Sequence, residues 1–445
     1  MVLTSCTNFL SVRPQGYVLP KTDEEFAAIL HNHLREIEGG GDEFIVGNME
    51  TIERLEAFAD DLDANLAVGS IPAYAGDRIG PMQSLWRDTW SVVRDCNIVI
   101  GNLDGRSSEL ARSALSCAYS IKALCYLNLL RDFCDPWEDG NASSQAGLPI
   151  VDDFDIAARP ARASLSDTKA YIAGLFDKAL ALEPSDPLFI FTEWPVKAYK
   201  ARLLFWTEDW DALVPLCEDI MKNSGFTITS RADYPAMIGA KNERLGEVIL
   251  RSHINNSSEL DWYFSAVRGY IATRPASASL IGLFDKKNDV RYDCSFSQRW
   301  TNVKPPERRI RLSEILLMLA EGYVHSGSPE KALPLLNDLR AERIAGAVPL
   351  TEDNLPAVST DSRITVDATG APLTPLMQAI LEERRRELYM EGDRWYELKR
   401  NGRPEWWIIS GGLKYTTRAY LYTAPILKAD VDLNPDLKQN PGYVY

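Results

Sequence analysis

No run of about 18 consecutive apolar residues occurs in this chain, so nothing in it reads as a transmembrane helix. No CxxC pair occurs among its seven cysteines, which removes the spacing on which zinc ribbons and thioredoxin-type redox centres depend. Basic clusters are missing too. The longest basic run is Arg384-Arg385-Arg386, flanked by glutamates, and 48 Lys and Arg against 63 Asp and Glu leave a formal charge of −15. Nucleic acids and anionic bilayers both reward concentrated Lys and Arg, so no nucleic-acid partner is expected and the excess acid reads as a solvated surface. There is no GxSxG elbow, phosphate-binding glycine loop or dinucleotide fingerprint, and no cofactor is expected. Histidines number four. His31 and His33 stand at i,i+2, off a common helical face, and spacing places no third ligand, so no metal is expected.

What the chain does have is 45% hydrophobic and 10% aromatic residues, enough for a large core, and mostly helical patterning. Apolar residues recur at helical spacing over 84–104, and 108–131 forms a strong helix with Ser107 or Ser108 as its N-cap. Cys96, Cys117, Cys125 and Cys134 fall in or near such segments, where free cysteine behaves as a small core residue. Helices are further expected over 166–183, 195–207 and 210–223, the last two as a hairpin. In 312–344, Ala320, Tyr323, Gly327 and Ala332 lie at offsets 0, 3, 7 and 12. That spacing is the small-residue and turn pattern of a tetratricopeptide hairpin. Ala201, Leu204, Glu208 and Leu213 make a weaker copy, with glutamate at the turn. No alternating βαβ pattern competes.

The expected fold is therefore mainly α, with tetratricopeptide-like helical repeats supporting a loop-rich, irregular ligand-binding portion. The boundaries are a leader over 1–20, a helical-repeat portion over 21–225, an irregular insert over 226–310, and a C-terminal portion over 311–445 that contains a loop at 345–375. Short strands such as Glu247–Arg251 are expected within the insert. Long irregular stretches are uncommon unless functional, so function is sought there.

The segment 375–402 is the most distinctive, and it reads as one helix. Leu381, Leu388 and Trp395 repeat every seven residues along an apolar line. Arg384 and Glu391 flank that line, where an unpaired charge would cost several kcal/mol. They are expected to form a structural ion pair, with each other or with neighbouring elements, and Arg384 is expected to be buried against a carboxylate. Glu382 and Arg386 read as a solvated i,i+4 pair.

The start, Leu3-Thr4-Ser5-Cys6, resembles the lipobox of bacterial lipoproteins, although only five residues precede the cysteine and a full signal peptide is longer. Cys6-Thr-Asn-Phe9-Leu10 through Gly16, Glu24-Glu25-Phe26, and Arg311 to Glu321 add to that. Glu383 to Leu388 with Glu391 to Arg400, and the tail Asp432 to Tyr443, complete a set spanning the chain. Together they resemble the SusD/RagB family of outer-membrane nutrient-binding lipoproteins. The resemblance implies four tetratricopeptide-like pairs and a loop-rich second half. It also implies a lipid anchor at Cys6, a cell-surface location at the outer membrane, and a SusC-like TonB-dependent transporter as partner. The absent glycine near Glu208 and the short leader depart from the family pattern.

The ligand expected from that resemblance is a glycan. Sugar capture calls for flat aromatic faces beside polar groups, and the irregular segments offer Trp262, Tyr263 and Trp300, then Tyr74, Tyr270 and Tyr292. Trp86, Trp90, Trp194, Trp206 and Trp395 sit on helical patterns and read as core. No catalytic residue is expected, because a glycosidase needs two carboxylates placed about 5–10 Å apart by the fold. A helical-repeat adaptor that binds protein, and a glycoside hydrolase, remain the competing readings.

Overall fold

In a computed structural model of the chain, residues 20–63, 75–153, 155, 157–240, 243–252, 274–410 and 412–443 are described. Helix α1 (Asp23–Gly39) starts at Thr22, whose side chain and that of Glu25 form a reciprocal capping box, with three acids in the first turn. It buries Phe26, Leu30, Leu34 and Ile37 at helical spacing and stops where Gly40 turns left-handed. Helix α2 (Met49–Phe58) is capped by Asn48. Helix α3 (Ile79–Leu103) begins five residues before the expected start, and α4 (Glu109–Phe133) is capped by Ser108. Cys96, Cys117, Cys125 and Cys134 are all buried and free.

A short hairpin of β1 (Ala146–Pro149) and β2 (Arg162–Ser164) leads into α5 (Leu165–Ala181). Helices α6 (Glu193–Trp206) and α7 (Trp210–Asn223) follow as the expected hairpin. Its turn places Glu208 at φ 54°, a left-handed position that suits glycine. Each helix from α3 to α7 packs on the next.

The insert holds α8 (Tyr234–Gly239), β3 (Val248–Arg251), α9 (Ala278–Ile281), α10 (Val290–Ser295) and β4 (Arg309–Arg311). Strands β3 and β4 pair antiparallel, Leu250 opposite Ile310. Helix α11 (Leu312–His325) then packs on α7 and, across a turn with Gly327 at φ 76°, on α12 (Ala332–Ala341). The fold is mainly α, as the periodicity requires.

The segment 375–402 departs from the expected single helix. It forms α13 (Pro375–Glu387) and α14 (Arg394–Arg400), separated by a tight turn with Met390 at φ 60° and Gly392 at φ 72°. Tertiary contacts enforce the break. A Cβ on Gly392 would lie 2.9 Å from both an Arg308 Nη and a Leu55 Cδ. The carbonyls freed at the turn accept from buried arginines, Glu387 O from Arg311 and Glu391 O and Gly392 O from Arg308. The chain closes with a hairpin, β5 (Trp406–Ser410) and β6 (Leu413–Thr417), and a short helix α15 (Lys428–Leu433).

That turn lies over a buried charge network. The Arg311 guanidinium, fully buried, donates to Glu247 at 2.6 Å, Glu387 at 2.5 Å and Glu391 at 2.9 Å. Arg343 bonds Glu247 and Glu387, and Arg291 bonds Asp289, Glu383 and Glu387. Burial alone would raise the carboxyls, yet the guanidiniums overcome it and hold Glu383 and Glu391 down at about 2. Strands β3 and β4, α10, α12 and α13 are thereby tied to one knot.

Candidate functional site

Arg384 and Glu391 are both buried, but they do not bond one another. Arg384 makes a two-pronged bond to Asp393 at 2.6 and 2.7 Å and lies 3.8 Å from Glu314. Glu391 is taken by Arg311 and Lys304. The turn at 388–393 carries Glu391 off the α13 axis, which is why the helical pairing fails. Arg386 likewise bonds Glu383 rather than Glu382, whose carboxylate accepts from Gln378.

Arg385, next in sequence, opens onto a cavity of about 340 Å³. One wall is the end of α2, where Asp60 and Asp61 point toward α13 and α14. Arg394 grips Asp60 with both prongs at 2.7 and 3.1 Å, and Arg385 bonds Asp61 at 2.7 Å and Ser279 at 3.1 Å. Opposite stands the loop 359–364, from which Arg363 reaches Asp60 at 3.3 Å with its guanidinium 4.6 Å over the Trp406 ring. Gln378 fixes that loop by accepting from the Ser359 amide at 2.6 Å. Leu283, Ile364, Leu373 and Leu381 supply the apolar part of the lining. Burial would raise the Asp60 carboxyl, but Arg394, Arg385 and Arg363 hold it well below the usual range. It is a fixed acceptor and a poor proton donor.

A second cavity of about 260 Å³ lies between the first half of α3 and α15, lined by Trp86, Trp90, Pro149, Asp430 and Leu437 among others. Trp86 is buried and donates to Asp430 at 2.9 Å, and Trp90 is half-buried. Trp206 and Trp395 are core residues and Trp194 is half-buried.

Of the aromatics singled out by sequence, Trp262, Tyr263, Tyr270 and Tyr74 lie outside the described residues, as does Cys6. Tyr292 is half-buried, its ring 5.5 Å from Phe296 and 6.1 Å from Phe284, so it is drawn into packing and does not line either cavity. Trp300 is 37% exposed, with the Lys286 ammonium 5.1 Å over its ring. Its φ of 60° is costly for a residue with a Cβ, and its carbonyl accepts from Ala276, three residues before Ser279 of the first cavity. Its neighbours hold the strain, for Trp300 N donates to Ser297 O and Ser297 N to Thr301 O.

Sequence reasoning missed the polar cavity itself. Asp60, Asp61 and Asp63 form one acidic run in a chain with 63 Asp and Glu, and nothing in the spacing joins them to Arg385 and Arg394 more than 300 residues away. His31 stacks on Phe189 and His33 bonds Asp95 at 3.1 Å. Among the described residues no group of ligands suited to a metal occurs, and no helix is long and apolar enough to cross a membrane.

Residues 251–407 match the model of the SusD family. The fold is similar to that of a SusD superfamily protein from Bacteroides thetaiotaomicron VPI-5482, with a TM-score of 0.73 and 20% identity over 95% of this chain and all of that one. A SusD-like carbohydrate binding protein from Bacteroides vulgatus ATCC 8482 is similar with a TM-score of 0.68 at 16% identity, covering 94% of this chain and 98% of that one. Surface glycan-binding protein A from Bacteroides uniformis gives 0.64 at 15% identity, covering 94% and 98%. No curated protein matches the sequence.

Proposed function

We propose that this chain, whose residues 251–407 match the SusD family model and whose fold is similar to that of SusD superfamily proteins, is a non-enzymatic binding protein for an oligosaccharide or polysaccharide, with the cavity between α2, α13 and the 359–364 loop as its site. The observation that carries this reading is the fixed mosaic of donors and acceptors around Asp60. A sugar presents hydroxyls that both donate and accept, and a carboxylate locked beside guanidiniums and serine hydroxyls answers both without a side chain having to reorganise. The ion pairs leave the lining near neutral, which favours a neutral glycan over an acidic one. Leucine and isoleucine side chains in the same wall meet the C–H faces of the ring, and the exposed Trp300 ring, on the segment that pairs with Ala276, would add a stacking surface.

Hydrolysis is disfavoured by the same geometry. A glycosidase needs one carboxyl raised into proton-donating range; Asp60 is held ionised by three arginines, and Asp61, which burial raises, is taken by Arg385 at 2.7 Å. The other parts of the proposal follow from the family: Cys6 as a lipid attachment site, the outer membrane as the location, and a SusC-like TonB-dependent transporter as the partner that receives the glycan.

Calorimetry against a panel of neutral glycans tests the site. Arg363 is 41% exposed in its side chain, so Arg363→Ala can be made without opening the core. It should weaken binding about tenfold, the equivalent of one charge-assisted hydrogen bond, and Trp300→Ala should weaken it similarly. Undiminished binding in both variants, or release of reducing ends, would overturn the reading. The anchor is tested separately by Cys6→Ala in the full-length precursor. Unchanged membrane retention would remove the anchor and leave the binding site standing.

A further inference from the structure

Arg131, in the last turn of α4, is 4% exposed, and no carboxylate lies within ion-pairing distance of it among the described residues. Its guanidinium lies 3.6 Å over the Tyr396 ring and 5.6 Å over that of Trp206. Its Nε and one Nη are buried with no hydrogen-bond partner. Burial without a counter-charge pushes it down to about 10.

Arg131 lines a small cavity of about 10 Å³, which is room for one water-sized occupant. Arg384 and Arg400 line the same space, and each adds a buried donor without a partner, an Nη of Arg384 and the Nε of Arg400. Four orphan donors from three arginines thus stand against one orphan acceptor in the lining, an Oε of Glu397. The acids nearby are already engaged, Asp393 with Arg384, Glu314 with Arg202 and Glu321 with Arg400. Glu397 accepts from Arg394 at 2.5 Å.

Neighbouring cations deepen the imbalance. Among the described residues Arg308 bonds the carbonyls of Val46, Glu391 and Gly392, and the buried Lys399 ammonium donates to Arg131 O at 2.6 Å. A water in the cavity would satisfy at most two of the donors and would leave the Arg131 charge uncompensated. An unpaired buried charge is strongly destabilising.

We propose that this cavity between α4, α6, α13 and α14 is a binding site for one small monovalent anion, chloride under ordinary conditions, which compensates Arg131 and accepts from Arg384 and Arg400. The anion would fasten the helical stack to the arginine-rich C-terminal helices. The site is separate from the glycan cavity and does not depend on the proposed function.

The test uses the whole chain in two ways. Crystals grown in sodium chloride, measured at long wavelength, should show an anomalous peak in the cavity beside Arg131. A feature with no anomalous signal, which is water, overturns the proposal. In solution, melting temperature is followed as chloride replaces gluconate at constant ionic strength, gluconate being too large to enter. A saturable rise of about 2–4 °C is expected, and it should vanish in Arg131→Met. A chloride response that persists in that variant assigns the effect elsewhere and also overturns the site. Should Arg131→Met fail to fold, the anomalous map of the unaltered protein decides alone.

Discussion

Replacing Arg311 with methionine should be among the most damaging single changes available to this protein. Methionine is close to arginine in length, so little volume is lost; what goes is the guanidinium. Arg311 is fully buried and donates to Glu247, Glu387 and Glu391, to Ser313 Oγ and to Glu387 O. Each carboxylate keeps another partner: Arg343 for Glu247, Arg343 and Arg291 for Glu387, and Lys304 for Glu391. The network would therefore be weakened rather than stripped, and the expected loss is that of one broken buried ion pair, about 3–5 kcal/mol. Urea unfolding followed by the fluorescence of the 11 tryptophans measures it. With a slope of about 3 kcal/mol per molar urea, the midpoint should fall by about 1–1.7 M. Arg311→Lys should recover little of it, because one ammonium cannot reproduce the planar fork that spans three acids. A midpoint within about 0.3 M of the parent would refute the claim that this knot holds β4 and α13 together.

The pH dependence should have two limbs. Glu383 and Glu391, held at about 2 against an ordinary 4.5, contribute stability that is present above pH 4.5 and lost as pH falls through about 2, roughly 3 kcal/mol each. Glu397 has the opposite sign. Burial raises it to about 7, so its contribution is complete below pH 4.5 and is lost as pH rises through 7; urea midpoints should therefore peak near pH 5, and Glu397→Gln should flatten the limb between pH 5 and 8. Glu208→Gly should raise the melting temperature, because the left-handed backbone at φ 54° costs a residue with a Cβ about 1–2 kcal/mol. The gain should be larger at pH 8 than at pH 5, since burial raises Glu208 to about 7; equal or lower stability would count against the turn geometry. Gly392→Ala should destabilise by about 2 kcal/mol or more, because its Cβ would meet Arg308 and Leu55 at a backbone angle that already disfavours a side chain; a neutral outcome in thermal unfolding would show that the turn can shift.

Much of the architecture is legible in the residues alone, because it depends on local terms. Helix periodicity, a cap at Ser107 or Ser108, Gly327 at a turn and small residues at Ala320 and Ala332 each act within a few residues of themselves, and they suffice for stacked helical hairpins. The same local reasoning misled over 375–402. The heptad through Leu381, Leu388 and Trp395 is genuine as a pattern, but the helix breaks between 388 and 393 because Arg308, Arg311 and Leu55, distant in sequence, take over the turn.

What the sequence by itself determined is a mainly helical scaffold, a family resemblance carried by blocks from end to end, and the rule that charges beside an apolar line must find partners. Which partners they find was decided only by the tertiary structure. Arg384 went to Asp393, Glu391 to Arg311, and Arg385 and Arg394 to Asp61 and Asp60. Hydrophobic periodicity is set by neighbours three and four positions away, whereas a guanidinium bonds whatever carboxylate the folded chain brings within about 3 Å. The polar cavity at Asp60 is made of such long-range pairs, and so it appears only once α2 and α13 meet.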